Sequence, residues 1–350
     1  MSRLAGIMRA SLARPTAWAG APPSADLRGL PPLATWDPFL QRILPIVFAV
    51  SSGFQLTKYV VVPEGIGFDA RLYVTAAREW LSGGDPWSVS SLGIPFGAPP
   101  PTLLAFVPFT PLPDAFVAAI WVLGSFVLAT LAIRVLHLRW WWICFWPIVD
   151  GAMIGNPDIA VLALLVIAGH RLDALAPVLK IYAVLPLLAE RRWKSLAGFA
   201  LILLVTAPIL PWGRWVAALP TISLGLQRFA GTTSVSGDPI LMVVGIVVLA
   251  SLAYRRAGWL AVPLLWPWTQ THYLALSVPA LTPLLAILWS VPGLPPLVTL
   301  LSVTLVAIGH RLFPLREALG SPRRDPLWPP RSRAGRPNSV AVTHEPHEAS

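Results

Sequence analysis

The stretch Gly65–Pro113 reads GIGFDARLYVTAAREWLSGGDPWSVSSLGIPFGAPPPTLLAFVPFTPLP. It carries Asp69, Arg71, Arg78, Glu79 and Asp85, then a run rich in Gly and Pro. On either side the chain is apolar, from Leu40 to Val62 before it and from Asp114 to Leu136 after it. A helix needs about 20 apolar residues to cross a bilayer, and both flanks meet that length. The stretch is therefore a long, partly polar loop between two membrane-length runs.

Composition extends this reading to the whole chain. Of 350 residues, 55% are hydrophobic and only 12% are charged. A soluble domain carries about twice that charged fraction. There are 17 Trp and 38 Pro. Trp favours the membrane–water boundary, and Pro is tolerated in spans whose neighbours repair the backbone. The expected class is all-α, a polytopic transmembrane helical protein with about nine to twelve membrane segments of roughly 20 residues.

The net charge of +10 raises nucleic acid as a partner. Its distribution argues against that: the basic residues gather in an N-terminal arm, in short loops and in a C-terminal tail. Retention of Lys and Arg on the cytoplasmic side gives this pattern. Membrane lipids are the expected partners, and nothing fixes an oligomeric state. The single Cys144 excludes a disulfide framework and sits in an apolar run as packing.

The arm 1–36 is basic and free of acids up to Asp26. It has the composition of a transit peptide, but a disordered cytoplasmic arm is the favoured reading. Leu40–Val62 then acts as an uncleaved targeting signal and first span, with Lys58 snorkelling near its outer end. Arg42 holds its start inside, which places the Gly65–Pro113 loop on the extracytoplasmic side.

Within that loop, Ala70–Ser82 has helical spacing. Tyr73, Ala77, Trp80 and Leu81 form one face; Arg71, Thr75, Arg78 and Ser82 form the other. Such a helix lies flat in the interface. Asp69 stands just ahead of it. Pro99–Pro113 reads as a re-entrant piece, and Asp114–Leu136 returns inward to Arg134, His137 and Arg139. Trp142–Val149 goes out as a short helix, and DGAMIGNPD (150–158) is an outer turn holding Asp150, Asn156 and Asp158. Ile159–Gly169 comes back to His170 and Arg171.

Leu172–Ala189 has basic residues at both ends, so a hairpin kinked at Pro177 and Pro186 fits better than one crossing. Lys180 falls at its tip, and a lysine at that depth is a functional candidate by default. Ser195–Pro211 goes out, and Trp212–Asp238 is a second outer loop with Arg214 and Arg228. Pro239–Tyr254, Trp259–Trp268, Leu274–Leu288 and Leu297–Ile308 are further crossings, with Thr269–Tyr273 a polar island among them. This gives nine crossings plus the hairpin. It leaves Arg311 outside, against the charge rule, so one short segment is miscounted. The domain plan is an arm (1–36), a membrane domain (37–312, with the extracytoplasmic loop 63–113) and an Arg/Pro-rich tail (313–350) that is disordered and cytoplasmic. Phosphate-loop, dinucleotide and Cys/His metal motifs are absent.

Taken together, FDARLYVTAAREWLSGGDPW (68–87) and PFGAPPPTLLAFVPFTPLP (95–113) resemble the opening pattern of glycosyltransferase family 87. Those enzymes belong to the GT-C superfamily and are similar to polyprenol-phosphate-mannose-dependent alpha-mannosyltransferases. GNPDIAVLALLVIA (155–168) resembles the family's Gly-Gln-x-Asn stretch. LAPVLKIYAVLPLLAERRWKSLAG (175–198) resembles its Lys-containing hairpin, and WTQTHYLALSVPAL (268–281) its Trp-x-x-His-Tyr stretch. The four matches occur in the family's order from Phe68 to Leu281. The chain departs from it in Asn156-Pro157-Asp158, in Ala183 after Lys180, and near Ala98.

The resemblance implies an integral membrane glycosyltransferase with an extracytoplasmic active site, in the cell membrane and serving the cell envelope. It would transfer mannose or a related sugar, with inversion, from a polyprenyl-phosphate donor to a lipid-linked or glycan acceptor. Such a transfer needs a carboxylate to take the acceptor proton. It also needs donors or positive charge at the leaving phosphate. Asp69 is expected as the catalytic base, with Lys180, His272 and Arg71 at the donor phosphate. Tyr73, Asp150, Asn156 and Tyr273 are expected at the substrate. No cofactor and no metal are indicated. Without the resemblance, Asp69 reads as a helix cap, Lys180 as a snorkelling lysine, and Arg71 as part of a solvated face. The alternatives for the whole chain are a membrane transporter or flippase, and a non-catalytic cell-envelope assembly protein.

Overall fold

The structure is a computed structural model that describes residues 37–168, 172–227, 233–252, 254–267 and 269–320. The basic arm (1–36), His170, Arg171, Arg228, Trp268 and the tail beyond residue 320 lie outside the described residues. The chain divides into Met1–Phe313 and Pro314–Ser350. Every residue expected at the site belongs to the first unit.

The described chain is mostly helical. α1 (Asp37–Val61) leads through a 3-10 turn to α2 (Phe68–Leu81). A two-stranded antiparallel hairpin, β1 (Ser90–Ser91) and β2 (Ile94–Pro95), precedes α3 (Pro100–Phe106) and α4 (Asp114–Val135). Then come α5 (Trp146–Met153), α6 (Asp158–Ile167), α7 (Ala176–Leu179), α8 (Val184–Ala189) and α9 (Trp193–Thr206). They are followed by α10 (Trp212–Gln227), α11 (Pro239–Ser251), α12 (Tyr254–Leu265), a 3-10 helix (Thr271–Ala280), α13 (Pro283–Leu288) and α14 (Pro296–Gly320).

Among the described residues, two helices are long and apolar enough to cross a membrane: Phe39–Val61 within α1, and α4. α5 and α6 reach membrane length only as a pair, bent by 117° at their junction. Other predicted crossings are shorter. α9 has 14 residues and α11 has 13, about 20 Å of helix against a hydrocarbon core of about 30 Å.

Several expectations are corrected. Trp212–Gln227 is a helix rather than a loop. Leu274–Leu288 is a 3-10 helix followed by a short α-helix, with Pro279 and Pro283 between them denying the backbone donors that one continuous α-helix needs. Residues 313–320, expected to belong to the disordered tail, continue α14 to Gly320. α2 buries Phe68, Asp69, Ala70, Leu72, Tyr73, Val74, Ala76 and Ala77, while Thr75 and Ser82, on the expected polar face, are exposed.

The local chemistry explains the elements that position the site. Gly67 is the N-cap of α2 at φ +66°, a conformation in which side chains with a Cβ are strained. Its N–H donates to the Met153 carbonyl at 2.8 Å, and the Asp69 N–H donates to the Ile154 carbonyl at 2.9 Å. These bonds tie the start of α2 to the end of α5. Gly155 turns the chain at φ +68°, and α6 begins three residues later. The Leu172–Ala189 segment is broken at Lys180, whose backbone is extended. Thr102 of α3 satisfies that break, its hydroxyl donating to the Val178 carbonyl at 2.8 Å. The ends of the same segment are pinned by Arg192, which pairs with Asp173 at 3.0 Å and Glu190 at 2.5 Å. The Trp259 indole donates to Glu190 at 2.8 Å.

Candidate functional site

Four distant segments meet at one cavity of about 210 Å³. Its polar end presents Asp69 from α2, Asn156 from the elbow between α5 and α6, Lys180 from the broken segment, and Gln270 and His272 from the polar island. Its apolar wall comes from the hairpin and α10, including Phe96, Leu219 and Ile222. The wall is close-packed: a Cβ on Gly225 would lie 2.8 Å from Pro95, and one on Gly97 would lie 2.9 Å from Ile222.

Asp69 is 9% exposed. It sits in the first turn of α2, where an acid complements the helix dipole. It does not cap the helix through its side chain, since that place belongs to Gly67. Its carboxylate accepts from Asn156 Nδ2 at 2.5 Å. α2 lies outside both membrane-length helices. Burial there pushes the Asp69 carboxyl above the usual carboxylate range, against the opposing pull of Lys180 and the Asn156 bond. A carboxyl whose proton affinity is raised in this way is a stronger base once ionised.

Asn156 also contacts His272 Nε2 at 3.1 Å, and its Oδ1 accepts from the Asp158 N–H at 3.0 Å. Lys180 Nζ lies 3.9 Å from Asp158 Oδ1 and 5.4 Å from the ring centroids of both Tyr73 and Tyr273. Two aromatic faces and one carboxylate stabilise its charge without a close bidentate partner. The Tyr182 hydroxyl donates to the same Asp158 oxygen. Asp158 is fully buried, and its Oδ2 has no hydrogen-bond partner.

Of the residues expected at the site, Asp69, Tyr73, Asn156, Lys180, His272 and Tyr273 line the cavity. Two do not. Arg71 turns away: its guanidinium donates to the Ile66 carbonyl at 2.6 Å and to the Glu64 carbonyl. The carbonyls of that short loop lie within its reach and take up its donors. Asp150 is inside α5 rather than in an outer turn. Its Oδ1 accepts from Lys58 Nζ at 2.5 Å and from the Tyr59 hydroxyl at 2.7 Å.

Lys58, expected to snorkel, therefore has a carboxylate partner instead. The sequence signal for it is a cation with no other charge between Arg42 and Glu64, a position that favours a partner. Tyr182 and the apolar wall from α10 carry no comparable signal, because Trp212–Asp238 has the composition of a loop. Among the described residues, no group of three or more His, Cys, Asp or Glu is arranged to hold a metal ion. Comparison with known proteins returned no matching family model, no matching curated protein and no matching solved structure.

Proposed function

We propose that the protein is a polytopic, GT-C-like membrane glycosyltransferase that moves a sugar, mannose or a related one, from a polyprenyl-phosphate donor to a lipid-linked or glycan hydroxyl. The observation that carries this is the convergence of a buried carboxylate and a largely buried ammonium on one cavity with an apolar wall. Asp69 takes the proton of the acceptor hydroxyl as its oxygen bonds to the anomeric carbon. The bond from that carbon to the phosphate oxygen breaks, and its electron pair leaves with the phosphate. Lys180 stabilises that charge. Attack opposite the leaving group inverts the anomeric centre. The apolar wall takes isoprene units, each buried methylene contributing about 0.8 kcal/mol.

The test uses membranes carrying the full chain and polyprenyl-phosphate mannose labelled in the sugar. Wild type is expected to move label to an acceptor. Asp69→Asn is expected to lose roughly 10²- to 10⁴-fold in rate, the scale of a general base. An Asp69→Asn variant at wild-type rate overturns the role of Asp69.

A second reading, a transporter, is favoured by one observation: a chain of polar groups runs from the exposed Lys58 inward through the buried Asp150 and His272 to Asn156 and Asp69. Such chains mark ion pathways. Solute movement across sealed vesicles by a wild type that transfers no label decides for that reading.

A further inference from the structure

We propose that Asn156 is a positioning residue: its amide, locked by the start of α6, holds His272 as the Nδ1–H tautomer and sets the orientation of the Asp69 carboxylate. The direction of the whole network is fixed at Asn156. Its Oδ1 accepts from the backbone N–H of Asp158 at 3.0 Å. A backbone N–H only donates, so the amide cannot be turned round. Nδ2 therefore carries both hydrogens toward its remaining contacts, Asp69 Oδ2 at 2.5 Å and His272 Nε2 at 3.1 Å. His272 Nε2 must accept. A neutral imidazole that accepts at one nitrogen bears its proton on the other, so the proton is on Nδ1.

His272 Nδ1 faces Asp150 Oδ2 at 3.8 Å. That is longer than a hydrogen bond, but a carboxylate at that range still favours the proton on the nearer nitrogen. Asp150 is kept in this pose from behind, its other oxygen held by Lys58 and Tyr59. α5 packs close to His272: a Cβ added at Gly151 would lie 3.4 Å from His272 Cβ. On the Nε2 side, Asp158 Oδ2 stands at 3.7 Å. It does not draw a second proton onto His272, because an Nε2–H would point at the Asn156 N–H. The Asp158 charge is met instead by Lys180 and Tyr182 at Oδ1. His272 then has no proton to offer a phosphate in the cavity; its task is to hold Asn156.

The test is nitrogen NMR of the full chain with ¹⁵N-labelled histidine, in lipid nanodiscs at neutral pH. The chain has 6 histidines, and the His272 signals are those absent from His272→Gln. Wild type is expected to show a neutral Nδ1–H imidazole at His272. Asn156→Leu is expected to lower the Nδ1–H population to half or less, because the two carboxylates then face the two ring nitrogens at similar distances, and Asp150→Asn, which still offers an oxygen to Nδ1–H, is expected to keep it. A wild-type His272 that is Nε2–H or charged overturns the proposal, as does an Asn156→Leu spectrum identical to wild type. The wild-type measurement stands even if a variant does not fold. The consequence for catalysis rests on the proposed transferase: Asn156→Leu is expected to lower kcat at neutral pH roughly ten- to hundredfold, the equivalent of one lost charge-assisted hydrogen bond, with KM for the labelled donor within about twofold. A correct tautomer with no sugar transfer by wild type removes the transferase and leaves the positioning role. The wrong tautomer with normal transfer removes the positioning role alone.

Discussion

Asn156 donates a hydrogen bond of 2.5 Å to Asp69, a residue 87 positions earlier in the chain. Both groups are buried, at 3% and 9% exposure. An ionised carboxylate in such a place needs donors to replace water. Asn156 supplies one, and its own orientation is set by the start of α6. The site is thus organised at the elbow between α5 and α6 as much as on α2.

Removing that donor makes the first prediction. Asn156→Leu leaves Asp69 without its charge-assisted bond, worth about 1.5–3 kcal/mol. The bond favours the ionised form, so its loss raises the proton affinity of Asp69 further. The acid limb of a transfer rate–pH profile is expected to move to higher pH, with the plateau rate recovered in part. A limb that stays in place would mean that Asn156 does not contact the working carboxylate.

The ionisation of Asp69 also has a sign in stability. Its folded-state proton affinity is raised, chiefly by burial. The folded state therefore holds this proton where the unfolded chain has released it. The stabilisation is complete below the ordinary carboxylate range and is lost as pH rises through the raised folded value. Asp69→Asn removes this dependence. Thermal unfolding in nanodiscs across acid to neutral pH is expected to show wild type losing stability relative to Asp69→Asn as pH rises. Parallel curves would place Asp69 in a more hydrated setting than its burial indicates.

The parts of this structure that are legible in the sequence are those whose signal is local. α1 and α4 are long, mostly apolar runs, and length with composition identifies them. Lys180 and His272 are polar groups in apolar surroundings, and for them isolation is the signal; Asp69 stands out by its place at the start of a helix in the partly polar stretch. Arg71 looks equivalent in the sequence but is consumed by the Glu64 and Ile66 carbonyls, a local demand that no spacing reveals. Asp150 reads as an outer-turn residue because it comes after a short apolar run. Its partner Lys58 is 92 positions away, so only the folded chain shows that the pair exists. The broken elements, such as α7 to α8 and the 3-10 helix with Pro279, depend on neighbours that repair their backbone, as Thr102 does for Val178.

Lys180 gives a prediction in binding. Its ammonium lines the cavity, held by two rings and by Asp158 at 3.9 Å. Lys180→Met keeps most of the apolar stem and removes the charge. Loss of a charge-assisted contact of about 1.5–3 kcal/mol corresponds to polyprenyl phosphate binding roughly ten- to hundredfold more weakly. Unchanged affinity, measured by titration of the purified protein with polyprenyl phosphate, would return Lys180 to a purely structural place.

Gly67 makes the prediction that tests how the site is built. Its φ of +66° strains any other L-residue by about 1–2 kcal/mol. A Cβ there would also lie 2.3 Å from Ala118 Cβ and 2.7 Å from Ala118 Cα. Gly67→Ala must therefore push α2 away from α4, adding an overpacking penalty of about 1–3 kcal/mol. Moving α2 strains the bond from the Asp69 N–H to Ile154, so transfer activity should fall together with the unfolding temperature. Ala118→Gly in the same chain is expected to restore part of the packing loss and none of the backbone strain. The resulting non-additivity of the two substitutions is the quantity to measure. Strict additivity, or a Gly67→Ala protein that unfolds at the wild-type temperature, would mean that the close approach of α2 to α4 does not hold Asp69 in place.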